Sequence, residues 1–91
     1  MIYPKINSTV LVSKESDLVI DTATGKNMEL PSGAYPVLNL IDGDTELDTI
    51  INNILESYNT SYEDVYNFIM NLADHGFISF SPTSKLDYSH E

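Results

Sequence analysis

Residues 45–80 read TELDTIINNILESYNTSYEDVYNFIMNLADHGFISF, and this stretch decides the fold. Its first half has apolar residues at helical spacing, which is typical of a helix that packs one face on a core. These residues are Leu47, Ile50, Ile51, Ile54, Leu55 and Tyr58. Thr45 and Asp48 have the spacing of a capping box at the start of this helix, and Asp44 is an alternative cap.

A second helix is predicted after the short polar break at Asn59 and Thr60. Ser61 is its expected N-cap, because Asp64 follows three residues later. Gly76 is expected to end it in a left-handed conformation. The apolar positions between these ends are Tyr62, Val65, Phe68, Ile69, Leu72 and Ala73. Phe77, Ile78 and Phe80 then predict a short extended piece that folds back onto the core, after two helices joined as a helix-turn-helix unit.

Upstream of this unit the pattern changes to short strands. β-Branched or alternating runs predict three strands at Ser8–Val12, Asp17–Asp21 and Lys26–Leu30. A short helix is expected from about Ala34 to Ile41, with Pro36 in or near its first turn. The predicted fold is therefore α+β and winged helix-turn-helix-like, with a three-stranded antiparallel sheet followed by three helices. We expect one domain over residues 1–80 and a flexible C-terminal tail over residues 81–91.

The composition limits the functional classes. The 91 residues include 14 acids and four lysines but no arginine, for a formal net charge of −10. Duplex binding requires clustered basic residues, so we expect negligible affinity for DNA at physiological salt. The acidic surface either attracts a basic partner or only maintains solubility. No secretory signal or apolar run long enough to span a membrane is present, so a cytoplasmic location without membrane contact is expected.

The sequence contains no recognisable catalytic or metal-binding constellation. Without cysteine, thiolate zinc sites and cysteine nucleophiles are excluded. His75 and His90 are isolated, and a structural or solvated role is the favoured interpretation for both. Asp42 and Asp44 flank Gly43 but lack the other ligands of a calcium loop, so they are interpreted as a turn and a helix cap. We therefore expect a protein that is not an enzyme and that has no metal and no cofactor.

The order of the motifs resembles that of the PqqD-like peptide chaperones, also called RiPP precursor peptide recognition elements (RREs). The likeness spans about residues 8–80. It is carried by Leu30-Pro31-Ser32-Gly33-Ala34, by Val37 to Gly43, by Thr45, Leu47, Ile50-Ile51, Leu55 and Tyr58, and by Asp64-Val65, Phe68-Ile69, Leu72 and Gly76-Phe77-Ile78. Pro36 and the turn at Thr24-Gly25 depart from the family pattern.

The resemblance implies a natural product biosynthesis protein that binds the leader segment of a ribosomally synthesised precursor peptide. It would hold this leader for a modifying enzyme, such as a radical SAM enzyme or a lasso-peptide protease or cyclase. The resemblance further implies that the leader adds as a strand beside the third strand, in the cleft between that strand and the last helix. Two alternatives remain open: a winged-helix nucleic-acid-binding regulator and an acidic protein-interaction module.

The last helix has an apolar arc of roughly 200°, wider than the 100° or so that a core-facing helix needs. Either the neighbouring strands cover both flanks, or one flank lines a peptide groove. On the second interpretation Val65, Phe68 and Leu72 face the core and the other flank binds peptide. The predicted peptide-binding residues are Lys26, Asn27, Met28, Glu29 and Leu30 on the strand and Tyr62, Tyr66, Ile69, Met70, Ala73 and Asp74 on the helix.

Overall fold

The computed structural model describes residues 2–31 and 33–82. Its elements follow the order β1 (Tyr3–Ile6), β2 (Val10–Ser13), β3 (Leu18–Asp21), β4 (Asn27–Glu29), α1 (Ala34–Leu40), α2 (Leu47–Ser57), α3 (Tyr62–Asp74) and β5 (Ile78–Ser81). The predicted α+β class is confirmed, with a three-stranded antiparallel sheet in the order β2-β3-β4 and three helices. None of the described helices is long and apolar enough to cross a bilayer.

A second, two-stranded sheet was not predicted. It pairs β1 with β5 in antiparallel register, so that Pro4 lies opposite Phe80. Pro4 is tolerated because its missing N–H would point away from β5, toward the outer edge of β1. At that edge Gly43 N–H donates to the Pro4 carbonyl at 3.0 Å, and Leu47 N–H donates to the Ile2 carbonyl at 2.8 Å. Ser81, predicted to open the tail, is thus the last residue of β5; the rest of the predicted tail from residue 83 lies outside the described residues.

Local signals placed the ends of α3 correctly. The Ser61 side chain accepts a hydrogen bond from Asp64 N–H at 3.2 Å, as predicted for the N-cap. Gly76 adopts a φ of 81°. Gly76 N–H donates to Ala73 and Phe77 N–H donates to Leu72, both at 3.0 Å, which is the Schellman pattern that a glycine at this position permits.

The start of α2 differs from the prediction. Glu46 is the N-cap, and its carboxylate accepts from Asp48 N–H at 3.1 Å. Thr45 is instead part of the preceding turn, where Asp42 accepts from Asp44 N–H, Thr45 N–H and the Thr45 hydroxyl at 2.8, 2.9 and 3.2 Å. The cap prediction was wrong because the carboxylate of Asp42 already binds both the amide and the hydroxyl of Thr45.

We expect Asp42→Ala to destabilise the protein by about 1–2 kcal/mol, because this turn sets the entry to α2. Burial alone would raise the pKa of Asp42, but hydrogen bonds from Asp44 and Thr45 hold it below the ordinary value of 3.8. The stabilisation should therefore be present above pH 3.8 and disappear as the pH falls through the lower folded-state pKa. Urea unfolding of the wild type and of Asp42→Ala across this pH range measures the difference in their free energies of unfolding. Exposed Asn53→Ala is the control; a pH-independent difference between wild type and Asp42→Ala would contradict the prediction.

The hydrophobic core lies between the two sheets and the three helices. Ile50, Ile51, Ile69 and Leu72 are each 0% exposed, and Phe77 is 1% exposed. Val10 and Val19 contribute from β2 and β3, and Ala34, Val37 and Leu38 from α1. Thus α3 packs its Val65, Ile69 and Leu72 face inward, which leaves a flank on each side of that face for other contacts.

Candidate functional site

One edge of the three-stranded sheet is available for a further strand. β3 pairs with β4 in antiparallel register, and among the described residues no strand pairs with the other edge of β4. Asp21 N–H donates to the Lys26 carbonyl at 2.8 Å, and Leu30 N–H donates to the Asp17 carbonyl at 2.7 Å. Because main-chain groups alternate between neighbours along an antiparallel ladder, Met28 also faces β3, while Asn27 and Glu29 face the free edge.

The side chains of Met28, Glu29 and Leu30 alternate between the core and the solvent. Leu30 is 7% exposed and Met28 packs against the core, whereas Lys26, Asn27 and Glu29 are exposed. Of the predicted strand residues, Asn27 and Glu29 therefore have main-chain groups at the free edge, whereas the side chains of Met28 and Leu30 pack toward the core. The main-chain carbonyl of Lys26 is already bound to β3.

The flank of α3 that faces β4 consists of Asp64, Phe68 and Asn71, at helical spacing i, i+4 and i+7. The Asn71 amide nitrogen lies 3.7 Å from the Met28 sulfur, which brings the helix beside the strand. We call the space bounded by the free edge of β4 and these three residues the β4 cleft. Its α3 wall differs from the predicted one.

The β4 cleft continues into an apolar cavity of about 410 Å³ at the C-terminal end of β4. Pro31 lies two residues after the end of β4, and Ala34 and Val37 of α1 form one side of this cavity. Asp64, Val65 and Phe68 of α3 form a second side, and Ile54 of α2 with residues 58–60 forms a third. The cavity can accept an apolar side chain of a bound peptide, and Asp64 adds a negative charge at its rim.

The structure does not bring the predicted α3 residues together beside β4. Ile69, predicted to line the groove, is 0% exposed and belongs to the core. Tyr62 and Tyr66 line a different groove with Ile2 and Phe80, away from β4, and Met70 lies between this groove and the outer face of α3 next to Asn71. Ala73 is half-buried against the core and Asp74 is exposed.

The difference follows from where the apolar arc is centred. Val65, Ile69 and Leu72 form the buried centre of the arc, so Phe68 lies on one side of it and Tyr62, Tyr66 and Met70 lie on the other. Phe68, Asn71 and Asp64 were consequently missed as cleft residues. Isoleucine, leucine and valine are among the residue types most often fully buried. Placing these residues at the centre of the buried face of α3 would have predicted which flank lies beside β4.

Within residues 2–31 and 33–82, His, Asp and Glu side chains form no group of three or more that could hold a metal ion. His75 Nδ1 lies 2.8 Å from the Asn71 carbonyl oxygen, and its ring stacks on Phe77 at 6.3 Å. These contacts fit the structural role predicted for His75; His90 lies outside the described residues.

Comparison with known proteins gives two matches. The sequence profile of a family described as "Coenzyme PQQ synthesis protein D (PqqD)" matches residues 9–78, which contain β2 to β4 and all three helices. Among solved structures, the chain is similar to "Lasso peptide synthetase B1 complexed with the leader peptide", with a TM-score of 0.64 and 17% identity. That alignment covers 85% of this chain and 98% of the other. No curated protein matches in sequence. At this identity the structural match shows a shared fold.

Proposed function

The chain belongs to the PqqD family, and from this membership we propose that it is a non-catalytic module that binds the leader segment of a ribosomally synthesised precursor peptide. The bound leader is presented to a modifying enzyme, such as a radical SAM enzyme or a leader peptidase. A protein of similar fold was solved in complex with a leader peptide, which supports this assignment. We also propose that the fold is of the winged helix-turn-helix type.

The observation that carries the proposal is the free edge of β4 beside an apolar cavity. A peptide strand laid along this edge gains hydrogen bonds from the main-chain groups of Asn27 and Glu29, each worth about 0.5–1.5 kcal/mol net. Its alternate side chains point toward α3, where the cavity between Ala34 and Phe68 receives an apolar anchor. Backbone pairing supplies general affinity, and the cavity supplies selection among peptides.

Charge adds a second element of selection. Glu29 lies on the exposed face of β4, Asp64 lines the cavity, and Asp74 lines the outer face of α3 with Asn71. These carboxylates favour a leader with lysine or arginine next to its apolar anchor. The same acidic surface, with no arginine in the chain, opposes the nucleic-acid-binding alternative.

We expect Glu29→Pro to weaken leader binding by about threefold to tenfold while the domain stays folded. Proline removes the Glu29 N–H, which faces the free edge, without removing a hydrogen bond to β3. Glu29→Ala is the matched control, because it removes the same carboxylate but keeps the N–H. Isothermal titration calorimetry with the leader encoded beside this gene measures both variants. Equal affinity of the two variants would place the leader elsewhere than on the edge of β4.

A further inference from the structure

The flank of α3 that faces away from β4 carries a second groove, of about 520 Å³. Its apolar lining comes from Ile2, Leu47, Tyr62, Tyr66, Met70 and Phe80, and we call it the tyrosine groove. Among the described residues, four of the six exposed large apolar side chains lie here, since Ile2, Tyr62, Tyr66 and Phe80 are 46%, 43%, 39% and 38% exposed. Single apolar residues scattered over a protein surface are normal, whereas a cluster of them in one groove indicates a candidate contact surface.

The aromatic wall of the tyrosine groove is held in place. The Tyr62 hydroxyl donates a hydrogen bond to the Asp48 carboxylate, which connects the first turn of α3 to the first turn of α2. The Tyr62 and Tyr66 rings stack with centroids 6.3 Å apart and planes 15° apart. The hydrogen bond to Asp48 raises the pKa of Tyr62, because it stabilises the protonated phenol. A partner thus meets a preformed surface.

Acidic groups surround this wall. Glu46 and Asp48 line the groove directly. Glu63 is exposed one helical turn before Tyr66, on the same side of α3. The groove therefore combines tyrosine rings, an adaptable methionine and carboxylates, a combination that favours a cation carried beside an apolar side chain.

The described lysines are all placed elsewhere. Lys5 packs against Gly43, the Lys14 ammonium lies 5.9 Å from the centre of the Tyr35 ring, and Lys26 precedes β4. None of them lines the tyrosine groove. A second copy of this chain is disfavoured as the occupant, because each copy carries a formal charge of −10.

We propose that the tyrosine groove docks a cationic, apolar segment of the modifying enzyme. This inference rests on the proposed function, which assigns the opposite flank of α3 to the leader. The two flanks are separated by the buried Val65, Ile69 and Leu72 face, so leader and enzyme can bind the same helix at once. The helix then holds the peptide at a fixed position relative to the enzyme.

A synthetic heptapeptide of alternating lysine and leucine is a suitable probe for the groove. In a ¹H–¹⁵N NMR titration of the full chain, we expect saturable shifts at Tyr62, Tyr66, Met70 and Phe80, with the leader present or absent. The matched heptapeptide of glutamate and leucine should cause none. Shifts spread over the whole acidic surface, or confined to the β4 cleft, would overturn the inference.

Two variants with the same change in net charge separate local docking from general attraction. Met70→Lys, in the groove, should weaken binding of the lysine peptide tenfold or more. Asn53→Lys, exposed on α2, should change it by less than twofold. Equal weakening by both overturns the inference, because only long-range charge would then be acting. Leader affinity is measured on the same samples: if wild type binds leader but not the lysine peptide, this inference alone fails, and if it does not bind leader, the proposed function fails.

Discussion

Ile69→Asp is expected to destabilise the domain strongly. Ile69 is 0% exposed at the centre of the buried face of α3, where it packs with Leu72 and Phe77. Placing a carboxylate there costs the packing of the isoleucine and the desolvation of a charge without a partner, together about 4 kcal/mol or more. A domain of this size has a total stability of about 5–15 kcal/mol, so the loss is a large part of it.

Circular dichroism and thermal unfolding test this prediction directly. Met70→Asp is the matched control, because it introduces the same charge at the next residue of the helix, where the side chain is half-buried at the groove. We expect Met70→Asp to remain folded. An Ile69→Asp protein with a wild-type melting temperature would contradict the placement of Ile69 in the core.

Phe68→Ser should have the largest effect on leader binding among variants that stay folded. Phe68 is half-buried and lines both the apolar cavity and the outer groove along α3 next to Asn71. Removing a ring that contacts a buried anchor of the guest typically costs more than 1.4 kcal/mol, so we expect the affinity to fall by about tenfold or more. Calorimetry with the cognate leader measures the loss.

Tyr66→Ser is the control for this comparison, since it truncates another aromatic residue of α3 on the opposite flank. Its leader affinity should remain within about twofold of wild type. Circular dichroism confirms that both variants are folded. If Tyr66→Ser weakens leader binding and Phe68→Ser does not, the leader contacts the flank of α3 that carries Tyr66, one of the peptide-binding residues predicted from the sequence.

The position of α3 places a separate groove on each of its two flanks. Its buried face contributes Val65, Ile69 and Leu72 to the core, so each flank of the helix lies at the boundary with a different sheet. One flank meets the edge of β4 through Asn71, and the other meets the β1–β5 pair through Phe80. Changes on one flank can therefore be tested with the other as an internal reference.

The sequence by itself determined the features that depend on neighbouring residues. The Ser61 cap and the Gly76 terminus set the ends of α3 through hydrogen bonds within a few residues. The alternation around Met28 and Leu30 fixed which face of β4 turns inward, because successive side chains of a strand point to opposite sides. The class of the fold and the free strand edge followed from such local signals.

Only the tertiary structure decided which distant elements meet. Pro4 gave no strand signal, yet β1 forms because β5 pairs with one edge and the Gly43 and Leu47 amides bind the other. The wide apolar arc of α3 was visible in the sequence, but its orientation depended on where Ile69 could be buried completely. Periodicity shows which side of a helix is apolar, but not which part of a wide apolar side is buried. Packing against the whole core decides how the helix is rotated. For this reason the sequence predicted a wide apolar arc on α3, and the structure decided which side of that arc lies beside β4.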